Sequence, residues 1–553
     1  MLPIHLKKNA AIPLLSAFFF FLIVCPLATI FIKAIIINDR LDFSYTAATI
    51  MESQNAAMIL NSLLLGLLVV ITSTLLSIPL AYLFSRTTFA RYQIFDVLFL
   101  IPFMTPPYIA SMGWILFMQK RGLLEQIFPS LSGGVDSFFS LAGLILVMSL
   151  HVFPFMLTIL KNAMTRIPSS MEESAAVLGA GFFRRMCRVF LPLLTGNYVI
   201  GALLVFVKTL SEYGTPYTLG RRIGFEVFTT NIHRYAAVAP VSFGKAAVLA
   251  SVLVSICLLL WIAQNYVTTH HSYQLISGRG CRLSLKDLSV PAKLGSWLYI
   301  GIILIIAIGI PYFSVIMTSL IKLRGFGLTA GNFTLQHYTA LFTDTEDALS
   351  AMGNSLVLAV AAATICAFLG TLVVLTLRSC HRKSGRPLEA VSLLPEMLPG
   401  IVMVIGIMLF WNDIYGILPL YNTFGILIVT YVVLFLPFTI QYVTSSFTQI
   451  NNSLMAAGQV FGGTPIYIFR RITFPLIAKG IAAGWMMTFI ISLRELVAPS
   501  LMAPPNTLVV STYIMREFEQ GSVSLGMSMA VLCVAFTVAA LLLLTRYIRR
   551  LPK

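Results

Sequence analysis

Charge is what this chain has least of. Only 10% of its 553 residues are Asp, Glu, Lys or Arg, against about 25% in an ordinary soluble domain. With 58% hydrophobic residues and a mean hydropathy of +0.91, most of the chain belongs in lipid, and a count of soluble domains from length does not apply. Acidic residues are scarcest, 20 against 37 Lys and Arg, for a net charge of +17. In a soluble protein that excess would raise nucleic acid as a partner. Here the basic residues sit between apolar runs, as membrane loops do, and no nucleic-acid partner is predicted. The seven cysteines (Cys25, Cys187, Cys257, Cys281, Cys366, Cys380 and Cys533) are scattered, odd in number and without CxxC spacing. They predict neither a disulfide framework nor a metal site. HExxH, GxSxG and paired intramembrane aspartates are absent, so no catalytic residue is assigned and no enzyme is expected. A Gly-x₄-Gly-Lys-[Ser/Thr] phosphate loop is absent too, so the chain is not expected to hydrolyse ATP or to bind a cofactor itself.

What the chain does have is long apolar runs. A bilayer crossing takes about 20 residues, and about twelve candidates follow, near 11–36, 57–84, 94–118, 139–161, 196–216, 246–267, 296–320, 350–377, 389–411, 423–446, 479–501 and 526–546. The first follows Lys7 and Lys8 and is too long for the apolar part of a signal peptide, so it reads as a spanning helix. With the N-terminus inside, 24 of the 37 Lys and Arg fall in cytoplasmic segments and about eleven outside. That bias places the N- and C-termini in the cytoplasm of a multi-pass membrane protein. The fold class expected is all-α and polytopic.

The chain also repeats itself. Gly179 and Gly462 lie 283 residues apart, as do Pro192 and Pro475, Pro154 and Pro437, Glu212 and Glu495, and Pro216 and Pro499. Upstream the offset is 293, relating Asn61-Ser62 to Asn354-Ser355, Pro102 to Pro395, Pro106 to Pro399 and Gly113 to Gly406. Duplication follows, with six spans per half in the same orientation, hence parallel repeats. The expected domains are residues 1–266, a polar cytoplasmic linker at 267–295, and residues 296–553. The linker's His270-His271 pair has no companion ligands and reads as solvated.

Each half carries one polar segment with fixed spacing. The first runs from Glu173 through Ala175 and Gly179 to Pro192, with Arg184-Arg185 between; the second runs from Ala456 through Gly462 to Pro475, with Arg470-Arg471 between. A glycine-turned loop with aromatic residues and an arginine pair (Phe182, Phe183; Tyr467, Phe469) fits an anchor-and-rim contact with another protein. The repeated Gly-x₁₂-Pro, and Glu173-Ser174-Ala175 one change from Glu-Ala-Ala, resemble the signature of type I ABC importer permeases, the binding-protein-dependent, MetI-like class. Ala456 departs from the pattern by replacing the Glu. The resemblance covers the whole chain as two fused permease domains. It implies that each loop carries a coupling helix, that two copies of a separate ATPase subunit bring ATP and Mg, and that an extracytoplasmic solute-binding protein delivers the solute.

A second constellation lies inside the membrane: Lys208, Glu212 and Tyr213, answered by Arg494 and Glu495. Ionisable groups in lipid face a cavity or a partner. Lys208 and Glu212 are four apart and would share a helix face. These residues are expected to line the route, with a structural salt bridge as the alternative. Glu396, beside Pro395 and Pro399, is a weaker candidate, the paired prolines are expected to kink helices, and His151 reads as an interior histidine. The string Leu210-Ser-Glu-Tyr-Gly-Thr-Pro216 and the fused layout look like iron(III) importer permeases, and iron(III) favours oxygen ligands. Thiamine, spermidine/putrescine and phosphonate are the alternative solutes, and a secondary transporter is the rival class. The expected mechanism is alternating access.

Overall fold

A computed structural model describes residues 11–37, 40–270, 285–344, 346–379 and 382–550. The middle of the expected linker, including His271 and Cys281, lies outside the described residues, as does Cys380. Among the described residues the fold is helical, with one small hairpin of Ile36–Ile37 against Arg40–Leu41. Ten helices among the described residues are long and apolar enough to cross a membrane, or up to twelve if each of two bent pairs is one span.

The bent pairs correct two expected spans. The run expected at 94–118 is two helices, Ile94–Met104 and Pro107–Met118, turned by 88°. Its repeat, expected at 389–411, is Gly385–Met397 and Gly400–Asp413, turned by 112°. Pro106 and Pro399 stand at the breaks with extended backbone (ψ 129° and 132°). Proline has no N–H for the ladder and its ring crowds the preceding turn, so a break is the cheapest accommodation.

Contacts group the chain into two compact units that differ from its two repeats. One unit holds Met51–Asn231 and Ser255–Phe333, the other Met1–Ile50, Ile232–Val254 and Thr334–Lys553. In the first unit, Ser53–Arg86, Leu141–Arg166 and Leu191–Ser211 form a bundle with the bent pair beside it. That unit also takes Val290–Leu320, the first span of the second half. The other unit repeats the plan with Glu346–Ser379, Phe424–Thr448 and Phe474–Leu493, and takes Ile12–Ile35, the first span of the chain. Each unit thus contains the opening helix of the opposite half.

The same close approach seats that helix in each unit. A methyl group on Gly113 would lie 2.6 Å from the Pro311 carbonyl oxygen, and one on Gly406 would lie 2.8 Å from the Pro26 carbonyl oxygen. Only hydrogen allows backbone against backbone at these two points. Both visiting helices carry a widened turn just before the proline. Cys25 N–H reaches back five residues to Phe20 O, and Ile310 N–H to Ile305 O, so the ring of the following Pro26 or Pro311 is accommodated without a kink.

Candidate functional site

The first polar loop leaves the helix Leu141–Arg166 through Ile167 and Pro168, forms the helix Ser169–Val177, and turns at Gly179. Gly179 has φ 79°, a left-handed value that a side chain resists. Its N–H bonds to Ala176 O at 2.9 Å and that of Ala180 to Ala175 O at 3.0 Å, the paired bonds that finish a helix on a left-handed glycine. The second loop does the same. Its helix Asn452–Val460 is capped by the Asn451 side chain and ends at Gly462, φ 76°, with Gly462 N–H on Gln459 O at 3.0 Å and Gly463 N–H on Gly458 O at 2.9 Å.

The chain then re-enters the bundle as one continuous helix, Phe183–Ser211 or Ile466–Leu493. Here too a widened turn precedes the proline: Leu191 N–H bonds to Met186 O before Pro192, and Phe474 N–H to Phe469 O before Pro475. The two prolines therefore lie inside a continuous helix, nine residues after Phe183 and Ile466 respectively. Glu173, Arg184, Ala456, Arg470 and Phe183 are exposed, Ala175 and Arg185 half-buried, and Arg471 exposed within the widened turn.

Sequence reasoning missed the most exposed apolar groups on these loops. Val177 and Leu178 are 88% and 87% exposed, and their repeat partners Val460 and Phe461 are 84% and 89% exposed. They stand at the end of each loop helix, just before the glycine. In a chain this apolar they carry no compositional signal, and only their position in a polar loop marks them.

Arg86, buried to 1%, ties the first loop at both ends. Its Nη2 donates to Met164 O at 2.7 Å and Ile167 O at 2.6 Å, where the loop begins. Its guanidinium lies 5.0 Å from the ring centroid of Phe190, where the loop ends. The linker joins this junction, since Lys286 N–H bonds to Arg86 O at 2.9 Å. In the second repeat Arg378 stands 5.4 Å from the Phe447 ring, one turn before the second loop.

At the intramembrane constellation the structure corrects one expectation. The helix ends at Ser211 and Glu212 is extended (ψ 132°), so Lys208 and Glu212 do not share a helix face. Glu212 instead opens the next helical segment: both carboxylate oxygens accept from Thr215 N–H, at 3.0 and 3.1 Å. Glu495 does likewise, accepting from Val497 N–H at 2.9 Å and Ala498 N–H at 3.2 Å. Their backbone carbonyls accept from Thr229 and Ser511 hydroxyls. Tyr213 is buried with its ring 5.0 Å from that of Tyr217, Lys208 is half-buried in the last helical turn, and Arg494 is half-buried at its helix end. The repeated Asn-Ser pairs fix the helix that follows. Ser62 Oγ accepts from Phe228 N–H and Ser355 Oγ from Val510 N–H, each at 2.8 Å, while Asn61 and Asn354 reach Glu226 O and Leu508 O. Glu396 accepts from Gln441, and His151 bonds Pro102 O at 2.9 Å. Among the described residues no three His, Cys, Asp or Glu side chains gather as a metal site.

Two breaks, two loops and two bundles of one design match what the comparisons find. Residues 76–270 and 368–552 each match the model of the binding-protein-dependent transport system inner membrane component. The chain belongs to this family. It is therefore a multi-pass inner-membrane permease, the translocation subunit of an ABC importer rather than an enzyme, in the fused two-domain form expected from the repeat. ATPase and solute-binding partners follow from the family. Among similar proteins are the ferric transport system permease protein FbpB of Actinobacillus pleuropneumoniae, 24% identical over 95% of this chain and 76% of that one, and the Fe(3+)-transport system permease protein FbpB 2 of Haemophilus influenzae, 24% identical over 95% and 97%. A putative 2-aminoethylphosphonate transport system permease protein, PhnV of Salmonella typhi, is 26% identical over 43% of this chain and 89% of its own length.

Proposed function

We propose that this permease carries iron(III) from an extracytoplasmic binding protein into the cytoplasm, driven by two copies of an ATPase subunit, one at each glycine-turned loop. Both loops and both termini then lie in the cytoplasm, and ATP and Mg are bound by the partner copies. The reading rests above all on the exposed apolar pairs Val177-Leu178 and Val460-Phe461. Each is offered by a helix whose end is fixed by its own hydrogen bonds, the form of a preorganised anchor with a charged rim from Arg184, Arg185, Arg470 and Arg471. Nucleotide-driven closure of the ATPases moves the two loop helices, and the continuous helices behind them carry that motion into the bundles. Lys208, Glu212, Tyr213, Arg494 and Glu495 are assigned to the route, at helix breaks whose shape the two carboxylates hold. Iron is favoured over phosphonate because the relatives named for ferric transport are matched along nearly the whole chain, and the one named for phosphonate along less than half.

The test is capture of the ATPase by the detergent-purified permease. Leu178→Asp and Phe461→Asp are expected to weaken capture at least tenfold each, about 1.4 kcal/mol, with the thermal midpoint unchanged because both side chains are exposed. Undiminished capture in the double variant would remove these loops as the docking sites.

A further inference from the structure

The two repeats differ in one paired cavity. In the first repeat a cavity of about 200 Å³ lies beside the end of Leu141–Arg166, lined by Phe84, Leu100 and Leu157 among others. Lys161 and Asp96, which both line it, form an ion pair. The matching cavity of the second repeat is about 670 Å³. The repeat offsets relate the walls: Asp96 to Glu389, Leu100 to Leu393, Leu157 to Ile440 and Lys161 to Thr444. The acid is kept and the lysine is lost. Among the described residues the Glu389 carboxylate has no ion-pair partner. Arg378 stands at the rim over Phe447.

The cavity has both apolar and polar walls. Its wall runs from Ile440 to Thr448, two turns or about 12 Å at the helical rise. Val374, Leu393 and Ile440 line it together with the polar Gln441, Thr444 and Ser445, as do Arg378, Glu389 and Thr448. Arg378 and Thr448 are the last residues of the spans Glu346–Arg378 and Phe424–Thr448, so that side of the cavity falls at headgroup level. Beside it Phe368 and Leu372 are exposed on the same helix.

We propose that this cavity holds the headgroup of an aminophospholipid of the phosphatidylethanolamine type. The lipid ammonium takes the position beside Glu389 that Lys161 takes beside Asp96. The phosphate faces Arg378, which donates to phosphate oxygens as guanidinium groups do. The acyl chains follow the exposed apolar face that includes Phe368 and Leu372. A glycerol headgroup leaves Glu389 without a cation, and a choline headgroup brings a cation that donates no hydrogen bond. Either leaflet could supply the ligand, so the assignment is independent of the orientation, the docking loops and the solute proposed above.

The test uses the full chain in nanodiscs of equal phosphatidylethanolamine, phosphatidylglycerol and phosphatidylcholine, followed by native mass spectrometry of retained lipid. Wild type is expected to retain phosphatidylethanolamine several-fold over both others. Glu389→Gln should reduce that lipid to the phosphatidylcholine level. Thr444→Lys, which rebuilds the pair of the first repeat, should do the same without lowering the thermal midpoint. Arg378→Gln should lower phosphatidylethanolamine and phosphatidylglycerol together. Equal retention of the three lipids by wild type, or an undiminished preference in folded Thr444→Lys, overturns the proposal. Soluble phosphoethanolamine displacing the retained lipid stoichiometrically overturns the lipid source in favour of the free headgroup.

Discussion

At Glu212 and Glu495, charges that lipid disfavours are met by the first N–H groups of a new helical segment. A glutamine there still offers a carbonyl oxygen to those N–H groups but no charge. The double variant Glu212→Gln, Glu495→Gln is therefore expected to assemble normally while solute uptake falls about tenfold, about 1.4 kcal/mol in barrier. Uptake at the wild-type rate in an assembled double variant would take both carboxylates off the route. Arg86 invites a sharper substitution. Lysine keeps the charge but cannot reach two carbonyls while lying flat on Phe190. Arg86→Lys should lower stability by about 1–2 kcal/mol, seen in thermal unfolding, and should leave ATP hydrolysis running with uptake reduced. Wild-type uptake by Arg86→Lys would show that the loop needs no such tie. The residues differ in how well the sequence displayed them. Gly179, Gly462, Pro192 and Pro475 were legible because a spacing repeated. Arg86 was hidden as one more basic residue at a helix end, since its value lies in contacts to positions about 80 and 100 residues away.

Among the elements, the helix breaks and the widened turns show proline acting in two ways. At Pro106 and Pro399 it ends one helix and starts another. At Pro26, Pro192, Pro311 and Pro475 the turn ahead of it opens by one residue and the helix continues. Sequence alone predicted a kink at the first pair, but not a turn of 88° or 112°, because the angle is set by what the second half packs on. Gly113 and Gly406 supply part of that contact. Gly113→Ala and Gly406→Ala each push a methyl group onto a neighbouring backbone that cannot swing aside. Each is expected to cost about 1–3 kcal/mol, measured as a lower thermal midpoint in detergent. An unchanged midpoint in both would mean that the visiting helix is held elsewhere.

For the whole molecule, the repeat was readable from two offsets, and the long apolar helices from hydropathy. Which helices gather into one compact unit was not, because a periodic pattern says that two halves are alike and nothing about which half a given helix packs in. Each unit holds the opening span of the opposite half. Residues 1–277 and 278–553 made as separate chains are therefore expected to co-purify as a stable pair, with each alone poorly folded. Two separately stable halves that ignore each other would contradict that exchange. The extra residue in the widened turns at Met186–Phe190 and Phe469–Thr473 has a consequence for aim. One added residue swivels everything beyond it by about 100° around the helix. Because both repeats add it at the same place, the tips at Leu178 and Phe461 keep a common compass bearing, each on its own bundle. The two-copy ATPase proposed above would thus meet the same handle twice.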